Sequence, residues 1–222
     1  MIRNIEYPLV FREDMVTTLQ IQHRHLFREV LSELARSQVE YIDRRIVTFD
    51  DGVSVGDRIV LVSDVLSFDF SNRKLLAELY RKIIESRDDD IVKLLSVMET
   101  ELEKLAVFAE RAAEIDLDYK SGIEMSDWLK LLKLQPLVKG VYDPKKRAYG
   151  IIDVVSRLFT GRIICFVGLK QLLTYDEYVE LVKYCLYKKQ LVWFLEPSET
   201  YLSNLEEIVV VDEDLFCSKP TL

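Results

Sequence analysis

The sequence predicts an α/β protein, a parallel-sheet head interrupted by a helical leg. Two observations carry this reading. Short, almost wholly apolar runs, IVLVSD (59–64), RIICFVG (162–168) and LVWFLEPS (191–198), alternate with segments of helical period, as strands buried on both faces alternate with crossover helices. Among them lies an apolar repeat that steps 4-3-4-3-4-3 through Ile91, Leu95, Met98, Leu102, Leu105, Ala109 and Ala112, which is a helical seam. With 222 residues, 49% of them hydrophobic and only 7 glycines and 5 prolines, the chain can bury an ordinary core and is not a disordered or low-complexity protein.

Each element follows in order. VTTLQIQ (16–22) alternates as a strand does, and HRHLFREVLSELAR then places Leu26, Val30 and Leu34 on one side of a helix. RRIVTFD (44–50) reads as a second strand closed by the turn signal DDG. Ser71 or Asn72 can cap a helix running to Glu85, with Leu75, Leu79 and Ile83 inward. Asp88, Asp89 and Asp90 suit the positive end of the seam helix, which spans roughly 36 Å and should pair along its seam. A hairpin within the chain and a coiled coil between copies fit that pattern equally.

The acidic connector IDLDYKSGIE (115–124) leads to the helix SDWLKLLKL, with Ser126 as its cap, Trp128, Leu129 and Leu132 as its apolar side, and Pro136 as its stop. Another helix spans Lys145–Phe159 around Ile151, Ile152, Val155 and Leu158. RIICFVG, the Thr174-capped helix YDEYVELVKYCLYKK and LVWFLEPS form a βαβ unit, and EEIVVVDED supplies a further strand. The expected domains are therefore a head of residues 1–87 and 136–222 and a leg of residues 88–135.

Phosphate loops are the first chemical test of such an alternation. Neither GxxxxGK[ST] nor GxGxxG occurs, and Gly168 with Lys170 is too little to build a cradle of amides. Asp64 reads as a structural strand-end carboxylate. His23 and His25, two residues apart with no third ligand nearby, read as structural or surface groups. Serine triads, cysteine–histidine pairs and zinc patterns find no support, so the sequence predicts a protein that is not an enzyme. Cys165, Cys185 and Cys217 sit in apolar stretches with no CxxC spacing, as buried thiols of a reducing compartment do. No apolar run approaches the roughly 20 residues that cross a bilayer, and the charged N-terminus is no signal peptide. A cytoplasmic protein without membrane contact is expected.

Charge is segregated along the chain. The net charge is −8, yet residues 128–162 carry eight bases (Lys130, Lys133, Lys139, Lys145, Lys146, Arg147, Arg157, Arg162) against two acids. Residues 98–127 carry nine acids and three bases, and residues 196–214 seven acids and no base. The basic block can be solvated surface or one basic face on an acidic body. Asp116, Asp118, Glu124 and Asp127 form an oxygen-rich cluster near Gly122; helix capping with solvated charge accounts for it, as would a hard cation.

Four stretches, in order, resemble one family: IVLVSDVLSFDFSNRKLLAELY, EIDLDYKSGIEMSDWLKLLKL, RIICFVGLKQLLTYDEYVELVKYCLYKKQLVWFLEPSE and VVVDEDLF. The family is the accessory adaptation protein of type II-A CRISPR systems, and the likeness covers most of the chain. It implies a head related to P-loop proteins but without a working phosphate loop, and a helical leg. It further implies a homotetrameric ring in spacer acquisition whose hole takes linear double-stranded DNA, beside the adaptation integrase and the RNA-guided nuclease. On that reading the DNA-binding candidates are Lys130, Lys133, Lys139, Lys145, Lys146 and Arg147, with Arg24 and Arg28 as a second rank. Structural calcium is also implied, at Asp116, Asp118 and Glu124, although Tyr119, Lys120 and Ser121 interrupt the acidic connector here and Lys120 adds an opposing charge. A pure scaffold for the other adaptation proteins is the competing reading, and a degenerate P-loop kinase or ATPase the third.

Overall fold

The computed structural model describes residues 2, 5, 7–40, 46–86, 88–119, 122–138 and 142–220. It divides into two compact units, Met1–Asp69 with Leu137–Leu222, and Phe70–Pro136. The seam helix lies in the second unit, as does the helix before it, which the sequence reading places in the head.

The first unit is a six-stranded sheet in the order β2-β3-β4-β1-β5-β6, with β1 Val16–Ile21, β2 Ile59–Val62, β3 Ile163–Val167, β4 Val192–Glu196, β5 Glu206–Val211 and β6 Cys217–Ser218. All pairings are parallel except that of β5 with β6. β1 is central, flanked by β4 and β5, and all six of its residues are buried. Alternate side chains therefore serve two cores. Leu19, Ile21, Cys165, Trp193, Leu195 and Val209 meet Leu26, Val30 and Leu34 of α1 (Arg24–Ser37). On the other face Phe166 and Phe194 stack at 5.9 Å, and Tyr178 of α7 (Tyr175–Tyr187) meets Phe194 edge-on at 5.3 Å. Helix α6 (Pro144–Leu158) buries Ile151, Ile152 and Val155 and packs beside α7. Each fully buried aliphatic or aromatic side chain contributes roughly 1.5–3 kcal/mol, so the head is stabilised from both faces of its sheet.

Caps mark the helix starts. Thr174 and Glu177 form a reciprocal capping box on α7, and Asp143 accepts from the Lys146 amide ahead of Pro144 on α6. In the second unit, Asn72 caps α3 (Arg73–Ser86) by accepting from the Leu75 amide, and Asp88 caps α4 (Asp89–Ala113).

Several sequence expectations need correction. The described part of RRIVTFD, from Ile46, forms no ladder and contributes only the bridge of Val47 to Ile2, and a short helix α2 (Val55–Arg58) follows. β2 is a sheet edge, so Val60 and Leu61 are only half-buried. Ser126 lies inside α5 (Met125–Leu131), whose cap position is Glu124, and Leu132, at the C-cap, is exposed. None of the residues of α4 is buried: of its seam, Ile91, Leu95 and Met98 are half-buried and Leu102, Leu105, Ala109 and Ala112 are exposed.

Candidate nucleic-acid interface

The two strand ends that could imitate a phosphate loop are both committed elsewhere. Only Gln22 and His23 separate β1 from α1, where a phosphate loop takes eight residues. His23 Nδ1 accepts the Leu26 amide at 3.1 Å, so the side chain occupies the amide that an anion would need. After β3, Gly168 adopts a left-handed backbone (φ 64) and opens a single 3-10 turn, Leu169–Leu172. Lys170 in that turn points into the fold, not out of it. Its ammonium pairs with Glu206 Oε2 at 2.5 Å, both side chains fully buried, and lies 4.4 Å from the Tyr178 ring centroid.

Glu206 is thereby the hub of a buried network. It also accepts from Thr18 Oγ1 at 2.6 Å, Tyr178 Oη at 2.6 Å and the Ser203 amide at 2.7 Å. Glu196 accepts the Lys170 amide at 3.1 Å, and burial pushes its carboxyl up to about 7, against the pull of that hydrogen bond and of the Lys170 charge. Burial lowers Lys170 below the ordinary lysine value while Glu206 and Glu196 resist. The sequence rejects Lys170 as part of a phosphate loop but gives no sign of its acidic partner, which lies 36 residues away. Asp64 is exposed and accepts the Leu66 amide, and the three cysteines are free and buried, with Cys165 and Cys185 raised by burial.

The predicted DNA-binding residues occupy separate places. Arg24 and Arg28 stand exposed one turn apart on α1, on one face of the sheet. Lys145, Lys146 and Arg147 begin α6, which packs with α7 on the other face, so the structure does not bring these two ranks together. Of the α6 group, Lys145 bonds Glu180 at 2.9 Å, and that bond raises its pKa. Arg147 donates from Nη2 to the Phe68 carbonyl at 2.7 Å and is half-buried, which gives it a structural task. Lys146 is exposed and, among the described residues, bridges to Asp143, the cap of its own helix, at 3.4 Å. In the second unit Lys130 pairs with Asp127 at 2.9 Å, and Lys133 follows α5 with a left-handed backbone (φ 50). Lys139 lies outside the described residues.

Asp116, Asp118 and Glu124 are all exposed along the connector, and Lys120 and Ser121 at its middle lie outside the described residues. Among the described residues no three histidine, cysteine or carboxylate groups converge on a point where a metal could sit. Calcium takes six to eight oxygens, so the described residues of one chain do not form its cage.

The comparisons with known proteins then bear on this geometry. Residues 42–215 match the family model of the CRISPR-associated protein Cas_Csn2. The chain belongs to the Csn2 family. Membership gives it a role in CRISPR adaptation, and it agrees with the type II-A resemblance carried by the four sequence stretches. The structure is also similar to Stu0660 of Streptococcus thermophilus, with a TM-score of 0.64 over 89% of this chain and 70% of that one, at 15% identity. At that identity the likeness is one of fold. No curated protein matches the sequence significantly. No helix among the described residues is long and apolar enough to cross a membrane.

Proposed function

We propose that this Csn2-family chain binds linear double-stranded DNA without sequence preference or catalysis, as a homotetrameric ring during spacer acquisition. The observation that carries this reading is the gathering of cations in a chain of net charge −8. Eight bases fall within residues 128–162, and Lys130, Lys133 and Lys146 remain exposed. Duplex binding without sequence preference draws its free energy from phosphates neutralised and counterions released, so it needs many cations at once. One copy offers few; four copies arranged around a passage multiply them while the acidic segments face away. Helix α4 supports self-association, because none of its residues is buried in a single chain and Leu94, Val97, Leu105 and Phe108 are exposed. Cytoplasmic residence and work beside the adaptation integrase and the RNA-guided nuclease complete the proposal.

A ring loads from an end. Mobility-shift titration should show salt-sensitive binding to linear duplexes and much weaker binding to covalently closed circles of the same sequence. Equal affinity for both, or none for either at low salt, overturns the proposal.

The exposed apolar side of α4 favours a second reading, a scaffold that recruits other adaptation proteins with DNA incidental. Charge reversal at Arg24, Arg28 and Lys146, none of which is buried, separates the two: lost adaptation with unchanged DNA affinity selects the scaffold. No step of either reading runs through calcium. Sizing the protein with and without calcium tests that expectation of the resemblance. A calcium-dependent gain in size would place the ion between copies, and an unchanged size agrees with carboxylates dispersed along the connector.

A further inference from the structure

Helices α3 and α5 of the second unit border a cleft of about 600 Å³. Its lining carries three cations, Arg73, Lys130 and Lys133, beside the half-buried Leu76 and Tyr80, and no acidic residue. That composition is unusual for this molecule, since the neighbouring stretch 98–127 has nine acids to three bases. Neither Arg73 nor Lys133 is ion-paired among the described residues. The bridge of Lys130 to Asp127 is an exposed i,i+3 pair, which a ligand can displace at small cost.

The walls are also fixed. The Tyr80 hydroxyl donates to the Leu134 carbonyl at 3.3 Å, tying the ring to the loop that bears Lys133. Lys133 is the residue after the α5 C-cap and takes the left-handed backbone (φ 50) that commonly ends a helix, as Lys189 does after α7.

The ligand must satisfy both halves of this lining. A bare phosphate would leave Leu76 and Tyr80 unused, and an acyl chain would leave two of the cations unused. A nucleotide has both an anionic and a flat apolar part, and the volume is that of an ordinary small-molecule cleft. Within a duplex each base face is covered by the next base pair, so only unpaired nucleotides can meet an aromatic wall in this way.

We propose that this cleft takes the unpaired nucleotides of a frayed or overhanging DNA end, with phosphates against Arg73, Lys130 and Lys133 and a base against Tyr80 and Leu76. The proposal rests on the duplex-binding reading and adds to it a site that distinguishes the strand end from the strand interior.

The test uses the full chain at one fixed ionic strength and three labelled probes: a blunt duplex, the same duplex with a thymidine overhang, and a short thymidine oligonucleotide. Fluorescence anisotropy should give about tenfold tighter binding of the overhanging duplex than of the blunt one, the worth of a stacked base. Arg73→Gln and Leu76→Asn should each remove that difference and leave blunt-duplex affinity as it was. Tyr80→Leu keeps the apolar volume without an aromatic face and should weaken the oligonucleotide specifically. Equal affinity for blunt and overhanging duplexes, or a preference that survives in both variants, overturns the cleft and leaves duplex binding standing. Oligonucleotide binding through Arg73 without duplex binding keeps the cleft and overturns the ring. Displacement of the oligonucleotide by an acidic, leucine-containing peptide at lower concentration than by free oligonucleotide would assign the cleft to a protein partner and overturn the proposal.

Discussion

In the sheet-bearing unit, Phe166, Tyr178, Trp193 and Phe194 are buried to within 1% of completely, and a charged network with Lys170 and Glu206 at its centre lies against Tyr178 and Phe194. In the helical unit, Leu94, Leu105 and Phe108 of α4 are each 60% exposed. Both units obey the same rule of helix and strand periodicity, and the second buries Phe70, Leu75, Trp128 and Leu129, yet no residue of its longest helix α4 is buried within one chain. The first unit behaves as a finished domain that sets the fold. In the proposed assembly, a further copy covers the exposed apolar residues of α4 in the second. Substitutions in the two should therefore fail in opposite ways, through stability in one and through assembly or ligand binding in the other.

The largest expected effect lies in the head. Lys170→Ala strands the buried carboxylate of Glu206 and should destabilise the protein by about 3–5 kcal/mol in urea unfolding. A loss below about 1 kcal/mol would mean the network is not sealed as described. Next comes Leu105→Glu with Phe108→Glu on α4. At exposed positions these should change the stability of the single chain by no more than about 0.5 kcal/mol, yet sedimentation should show the assembly dispersed into single chains. An unfolded double variant would instead give α4 a core inside the chain.

A smaller effect concerns pH. The folded state holds a proton on Glu196 up to about 7, whereas an ordinary glutamate releases it near 4.5. Between those values the folded state binds more protons than the unfolded one. The contribution of Glu196 is therefore complete below about 4.5 and is lost as pH rises through about 7. Glu196→Gln should flatten that part of the stability–pH curve, and an unaltered slope would assign it to other groups. Smallest is Lys146→Glu, an exposed residue whose reversal should leave the unfolding curve in place. If Lys146 neutralises a phosphate, its reversal should make the slope of log affinity against log salt shallower by about 0.9 for each bound chain.

Much of this architecture is legible in the sequence because it rests on local signals. β3, α7 and β4 announce themselves by an apolar run, the Thr174 cap with Glu177 three residues on, and a second apolar run. His23 reads as a structural or surface residue, and it caps α1. RRIVTFD misleads because β-branched composition gives propensity without a ladder: Val47 bridges Ile2, and the Ile46 and Val47 amides donate to the Glu33 carboxylate instead of to a strand. Ser126 misleads because a favourable capping residue lies inside a helix that Glu124 already begins. The Lys170–Glu206 pair and the Arg73 cleft are invisible in sequence because tertiary folding alone joins their parts. Residues 73 and 133 reach one cleft from helices on either side of α4 in the sequence. Among the predicted DNA-binding residues, the sequence does not separate Arg147, which the Phe68 carbonyl engages, from its exposed neighbour Lys146.

The proposed ring requires several copies converging on one double helix. Sedimentation equilibrium of the protein with a labelled linear duplex, just long enough to thread a single ring, measures that directly. Four chains per duplex, falling to free protein as salt rises, is the predicted result. One chain per duplex at every protein concentration would contradict it.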